Sequence, residues 1–198
     1  IKADKLVLMI KNEKRGSNII VLYGAMAVGK LTVAKELAKK LDYKLTHNHL
    51  INDLVLSVFK RGTLEANKLI EKLRYEFYET SAKSGHNIII THCYAHDYVS
   101  PTGLTDPEYL KTLEYRLKKA GAEVFFVHLQ ADKKTLLDRV KNKSRKKYEK
   151  LTDVSIMKNY LNSKDFTTSA PVKKNLVINN SNLSPQKVVQ IILKQLKK

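Results

Sequence analysis

One stretch constrains the fold more than any other. Residues 18–24, Asn-Ile-Ile-Val-Leu-Tyr-Gly, form an unbroken apolar, β-branched run ending on glycine. Such a run reads as a strand buried on both faces, as a parallel sheet requires. It leads into Gly24-Ala25-Met26-Ala27-Val28-Gly29-Lys30, after which Val33, Leu37, Ala38 and Leu41 recur at helical spacing. A G-x-x-x-x-G-K loop between a buried strand and a helix is a phosphate cradle. Gly24 and Gly29 let the backbone curl until successive N–H groups point inward. The helix that follows adds its positive N-terminus, and Lys30 brings a point charge to the outer phosphates. The candidate nucleotide-binding residues are therefore Gly24, Ala25, Met26, Ala27, Val28, Gly29, Lys30, Leu31 and Thr32.

The rest of the chain repeats the alternation. Strands are expected at 43–50, 87–94, 123–130 and 176–179. Helices are expected at 51–59, 64–84, from Asp106-Pro107-Glu108 to Gly121, after Asp132, at 153–161, and from Ser184-Pro185 onward. Asp106 and Asp132 are read as helix-capping residues. Alternating strands and helices predict an α/β fold in three layers, with a mostly parallel five-stranded sheet between helices. The expected organisation is a single domain over 1–198, with an N-terminal extension at 1–17. Ligands in such sheets sit at the carboxyl ends of the strands.

The loop departs from the general motif at one place. Leu31 follows the lysine where a Ser or Thr is usual, and Thr32 comes one residue later. With its hydroxyl so placed, the loop resembles those of the P-loop small-molecule and nucleotide kinase group. The adenylate kinase family carries G-K-G-T here, and the shikimate kinase and chloramphenicol phosphotransferase families are similar in size and strand order. The resemblance implies a P-loop NTPase fold that binds ATP with magnesium (Mg2+), Thr32 helping to hold the ion. It implies transfer of the γ-phosphate to a small-molecule acceptor. It further implies a small basic lid at 133–150, where nine Lys or Arg face only Asp138 and Glu149. Arg139 and Arg145 are the arginines that match the lid residues closing over the transferring group.

The acceptor is expected in the region 46–85. Thr46-His47-Asn48-His49 follows the second expected strand, at the sheet edge that holds the phosphate loop. Asn48 and Asp53 are the best positional matches to the acceptor-contacting acid of shikimate-kinase-like enzymes. Asp53 is the candidate base that orients a hydroxyl. His47 and His49 are candidates for contacts to a phosphate or sugar. Two histidines one residue apart also suggest a metal pair, although no third ligand is evident. The bland alternative is a polar helix start capped by Asn48 or Asn52. The strand at 87–94 ends on Thr91-His92 with no carboxylate directly after it, leaving Thr91 or Asp97 to organise magnesium through water. Residues 179–185, rich in Asn and Ser, suit a loop that reads the nucleotide base as well as they suit a plain turn.

Composition bounds the alternatives. A formal charge of +18 favours anionic partners. It supports a second reading, a nucleic-acid-associated or regulatory NTPase, which the lack of a nucleic-acid motif disfavours. The apolar runs 19–22 and 88–90 are too short to span a bilayer, and the first residues show no signal-peptide pattern. Cys93 is the sole cysteine, so no internal disulfide forms. These features lead to the expectation of a cytoplasmic protein.

Overall fold

A computed structural model describes residues 16–143, 145 and 151–197. The expected extension at 1–17 therefore lies outside the described residues, except for Gly16 and Ser17. So does the lid at 144 and 146–150.

Five strands and seven helices alternate along the described chain. They run β1 (Asn18–Gly24), α1 (Lys30–Leu41), β2 (Lys44–His47), α2 (His49–Leu56), α3 (Leu64–Lys83) and β3 (Ile88–Cys93). Then come α4 (Asp106–Lys119), β4 (Glu123–Gln130), α5 (Lys133–Val140), α6 (Val154–Ser163), β5 (Asn175–Asn179) and α7 (Pro185–Leu196). The sheet order is β2-β3-β1-β4-β5, and every pairing is parallel.

The central strand β1 shows why the fold has three layers. Its residues alternate between two separate cores, as the two-residue period of a strand dictates. Ile20 and Leu22 pack with Val33 and Leu37 of α1, Met157 and Leu161 of α6, and Val188 and Ile192 of α7. Ile19, Val21 and Tyr23 point the other way, against Tyr75 and Tyr78 of α3 and Leu110, Leu113 and Leu117 of α4. A third, smaller cluster of Val55, Ala66 and Ile70 joins α2 to α3.

Two boundaries differ from the sequence reading. The second strand is four residues long rather than spanning 43–50, because α2 begins at His49. The cap of α4 is Thr105, not Asp106. Thr105 Oγ1 accepts from the Glu108 N–H and the Glu108 carboxylate accepts from the Thr105 N–H, a complete capping box. Asp106 is thereby released from capping, and its side chain turns inward.

Candidate functional site

The phosphate loop leaves β1 with an unusual backbone. Gly24 has φ 139° and Gly29 φ 101°, and Ala27 between them holds φ 64°. A Cβ on Gly24 would lie 2.2 Å from the Leu129 carbonyl oxygen, so only glycine lets β1 pass β4 here. The left-handed Ala27 costs on the order of 1 kcal/mol or more. Helix α1 has Gly29 as its N-cap and no side-chain cap, so no side chain at the cap satisfies its first N–H groups. Lys30 Nζ donates to the carbonyls of Gly24, at 2.8 Å, and Ala25, at 2.7 Å. Burial pushes its ammonium below the ordinary lysine range, and the nearby Arg145 charge adds to that.

On one flank of the loop lies the segment after β5. Asn180 is buried and its Nδ2 donates to the Val28 carbonyl at 2.8 Å. Arg139 locks the same two loops together. Its Nη1 donates to Val28 O at 3.2 Å and Asn180 Oδ1 at 2.9 Å, and its Nη2 donates to Asn180 O at 2.9 Å. The guanidinium is thus occupied with holding the 180–181 loop against the phosphate loop. Arg145 is placed differently: its Nε donates to Leu151 O at 2.8 Å, and its charge acts on Lys30 and Cys93. Of the two arginines expected in the lid, Arg145 is the one whose charge bears on Lys30.

On the other flank a cavity of about 320 Å³ opens between α2, α3, the end of β3 and the segment leading into α4. Its wall includes Asn48, Asn52, Arg61, Arg74, His92, Cys93 and Asp106. Cys93 is the register partner of Gly24, so this cavity adjoins the phosphate loop directly. Asp106 is fixed by two contacts: its Oδ2 accepts from the Ala95 N–H at 2.8 Å, and its Oδ1 lies 3.3 Å from His92 Nε2. His92 is also stacked on Tyr109, ring centroids 4.6 Å apart. Burial holds the His92 imidazole below its usual range, with Asp106 acting in the opposite sense. Burial likewise raises the Cys93 thiol, and the Lys30 charge opposes that rise.

The residues singled out after β2 divide. Asn48 lines the cavity, its N–H donating to Thr91 Oγ1 at 3.3 Å. His47 and His49 do not line it; their rings lie 6.1 Å apart, and His49 Nδ1 sits 3.7 Å from Asp53. Asp53 is 61% exposed and lies outside the cavity wall. Asp97 supports a surface turn instead, accepting from the Asp165 N–H at 2.9 Å. Thr32 is exposed on α1. Among the described residues no cluster of three His, Cys, Asp or Glu is arranged to hold a metal. Nothing in the sequence marks Asp106 or Arg74 as site residues. The first reads as a helix cap, and the second is one more basic residue on a long helix. Glu71, equally unmarked in the sequence, also lines the cavity and accepts from the hydroxyls of Ser100 and Thr102.

The sheet order, the glycine loop and the flanking cavity define a P-loop kinase-like fold. The AAA domain family matches residues 20–158, and the chain belongs to that family. No curated protein matches the sequence. Solved structures agree on the fold. An APS kinase from Mycobacterium tuberculosis, in complex with AMPPNP and APS, has a TM-score of 0.63 at 12% identity, covering 93% of this chain and 100% of that one. An unliganded sugar kinase from Janibacter sp. has a TM-score of 0.63 at 17% identity, covering 91% of this chain and 95% of that one. Shikimate kinase from Aquifex aeolicus has a TM-score of 0.50 at 18% identity, covering 90% of this chain and 96% of that one. The fold is therefore that of the P-loop small-molecule kinase group. No helix among the described residues is long and apolar enough to cross a membrane.

Proposed function

We propose that the chain is an ATP-dependent phosphotransferase acting on a hydroxyl of a small molecule held in the 320 Å³ cavity. The observation that carries this reading is the shared wall. Cys93 lines the cavity and is the register partner of Gly24, the first residue of the phosphate loop, so a molecule there would lie beside the outer phosphate of a nucleotide in the loop. The cavity volume is near the lower end for ligand pockets, which suits a small acceptor better than a polymer.

In this reading the loop N–H groups and Lys30 hold the β- and γ-phosphates. Arg145 covers the transferring group, and Arg139 is a positioning residue that keeps the 180–181 loop beside the nucleotide. The acceptor oxygen bonds to the γ-phosphorus while the bond from that phosphorus to the β,γ-bridging oxygen breaks, and ADP leaves. The hydroxyl proton passes to the carboxylate of Asp106, which we favour over Asp53 because it lines the cavity. Magnesium enters with ATP as part of the substrate. Leu31 offers it no oxygen and Thr32 is exposed, so the donor set suits an ion carried mostly by phosphates and water.

The test is ADP release with MgATP across a panel of hydroxylated small molecules, with Lys30→Ala as control. Acceptor-dependent release that vanishes in the variant is the expected result. Release that is independent of every acceptor and survives in the variant would refute the reading.

A further inference from the structure

The cavity carries more information than its position. Arg74 stands on its α3 wall, where Nη2 donates to Asn52 Oδ1 at 2.8 Å. Its Nε is buried and has no hydrogen-bond partner among the described residues. Nor is any described carboxylate paired with it. Glu71, one turn earlier, is engaged by Thr102 Oγ1 at 2.8 and 3.0 Å and by Ser100 Oγ at 3.1 Å. Asp106 is held by Ala95 and His92. Arg61 adds a second cation where the α2–α3 turn meets the cavity.

A guanidinium offers five N–H donors in a fixed fork that matches a carboxylate or phosphate. Arg74 is half-buried, and keeping its Nε–H out of water with no acceptor is costly. Either the arginine is only a strut for Asn52 and Tyr109, or its unused donor is met by an anionic ligand. The strut reading does not explain why the unused donor belongs to a residue lining a cavity beside the phosphate loop. Size narrows the ligand further. The volume of about 320 Å³ is roughly ten water volumes, enough for a sugar acid but tight for a nucleotide. Asn48, Asn52 and Asn67 supply neutral polar groups suited to hydroxyls.

We infer that the acceptor is a small hydroxylated oxyanion, its carboxylate or phosphate gripped by Arg74 and a hydroxyl directed toward Asp106 and the phosphate loop. This inference rests on the kinase reading for the direction of the hydroxyl, but not for the anion contact.

The test is calorimetric titration of the full chain, with and without saturating AMPPNP. The probes are matched pairs: D-gluconate against sorbitol, shikimate against its methyl ester, and ribose phosphate against ribose. The inference predicts that at least one anion binds and that its neutral partner binds at least about tenfold more weakly. Which pairs respond separates a carboxylate from a phosphate. Arg74→Gln should weaken the anion by about 10–100-fold. Arg74→Lys should recover part of that loss, and both variants should bind AMPPNP as the wild type does, which also shows that they fold. Equal binding of charged and neutral partners, binding of no anion at all, or an indifferent Arg74→Gln would overturn the inference. A wild-type chain that ignores AMPPNP would sink the kinase reading instead, while the nucleotide-free titrations still decide the anion question.

Discussion

Acidification should weaken this fold through one buried ring. His128 on β4 is fully buried, stacked at 10° on Tyr23 with centroids 4.5 Å apart. Its Nδ1 lies 3.0 Å from Ser169 Oγ. Burial, with the Lys30 charge acting in the same sense, pushes its pKa down to about 4, and a hydrogen bond to the Phe166 backbone opposes that shift. In the unfolded chain the imidazole titrates near its ordinary value of about 6.5. Between these values the unfolded chain binds the proton and the folded chain does not. The stabilising contribution is therefore full above about pH 6.5 and is lost as pH falls toward 4. That loss is worth about 3 kcal/mol at the acid limit and about 2 kcal/mol at pH 5. His92 and Asp165, also shifted downward, weaken the fold in the same direction, so wild type alone does not isolate His128. The comparison with His128→Gln does. At pH 7.5 that variant should be less stable by about 1–2 kcal/mol, from the lost ring contact. By pH 5 the deficit should close, because the variant has no proton to take up. Urea denaturation at pH 7.5, 6 and 5 reads both curves. A gap between wild type and variant that stays constant across that range would refute the reasoning.

Three further outcomes follow from the site. Gly24→Ala should cost several kcal/mol, about 2–4, because its Cβ meets the Leu129 carbonyl at 2.2 Å; Gly62→Ala, with open space around it, should cost only about 1–2 kcal/mol in the same urea assay. Asp106→Asn should lower kcat by about 10²–10⁴ in the ADP-release assay, whereas Asp53→Asn should leave it unchanged; the reverse ranking would restore Asp53 as the base. Arg139→Ala should raise KM for ATP about tenfold with kcat nearly intact, because it loosens the 180–181 loop rather than the transferring group; a fall in kcat alone would place Arg139 on the γ-phosphate.

Much of this architecture is legible in the sequence because the signals are local. The run at 18–24 declares a strand buried on both faces, and the glycines beside it declare a loop with left-handed backbone. The boundary at His49 carries no such signal, since the polar residues 46–49 satisfy a strand end and a helix start equally well. Asp106 shows a different limit. Thr105, Asp106 and Glu108 all favour a helix N-terminus, and only the three-dimensional capping box reveals which two do the capping and which is turned inward. Arg74 is hidden for another reason. On a lysine-rich chain a basic residue in a helix says nothing of itself, and its importance comes from neighbours distant in sequence, Asn52 and the β3 end. Conversely, the spacing that groups His47, Asn48 and His49 cannot say which side chain faces the cavity, and the structure turns only Asn48 toward it.

The central claim is that the loop at 24–30 binds the triphosphate of ATP through Lys30. Calorimetric titration of MgATP into wild type and Lys30→Ala tests it most directly. The account predicts one-to-one binding to wild type and an affinity about 10–100-fold lower in the variant, the loss expected for a charge-assisted phosphate contact. Equal affinity in the two proteins, or no binding to wild type, would contradict it.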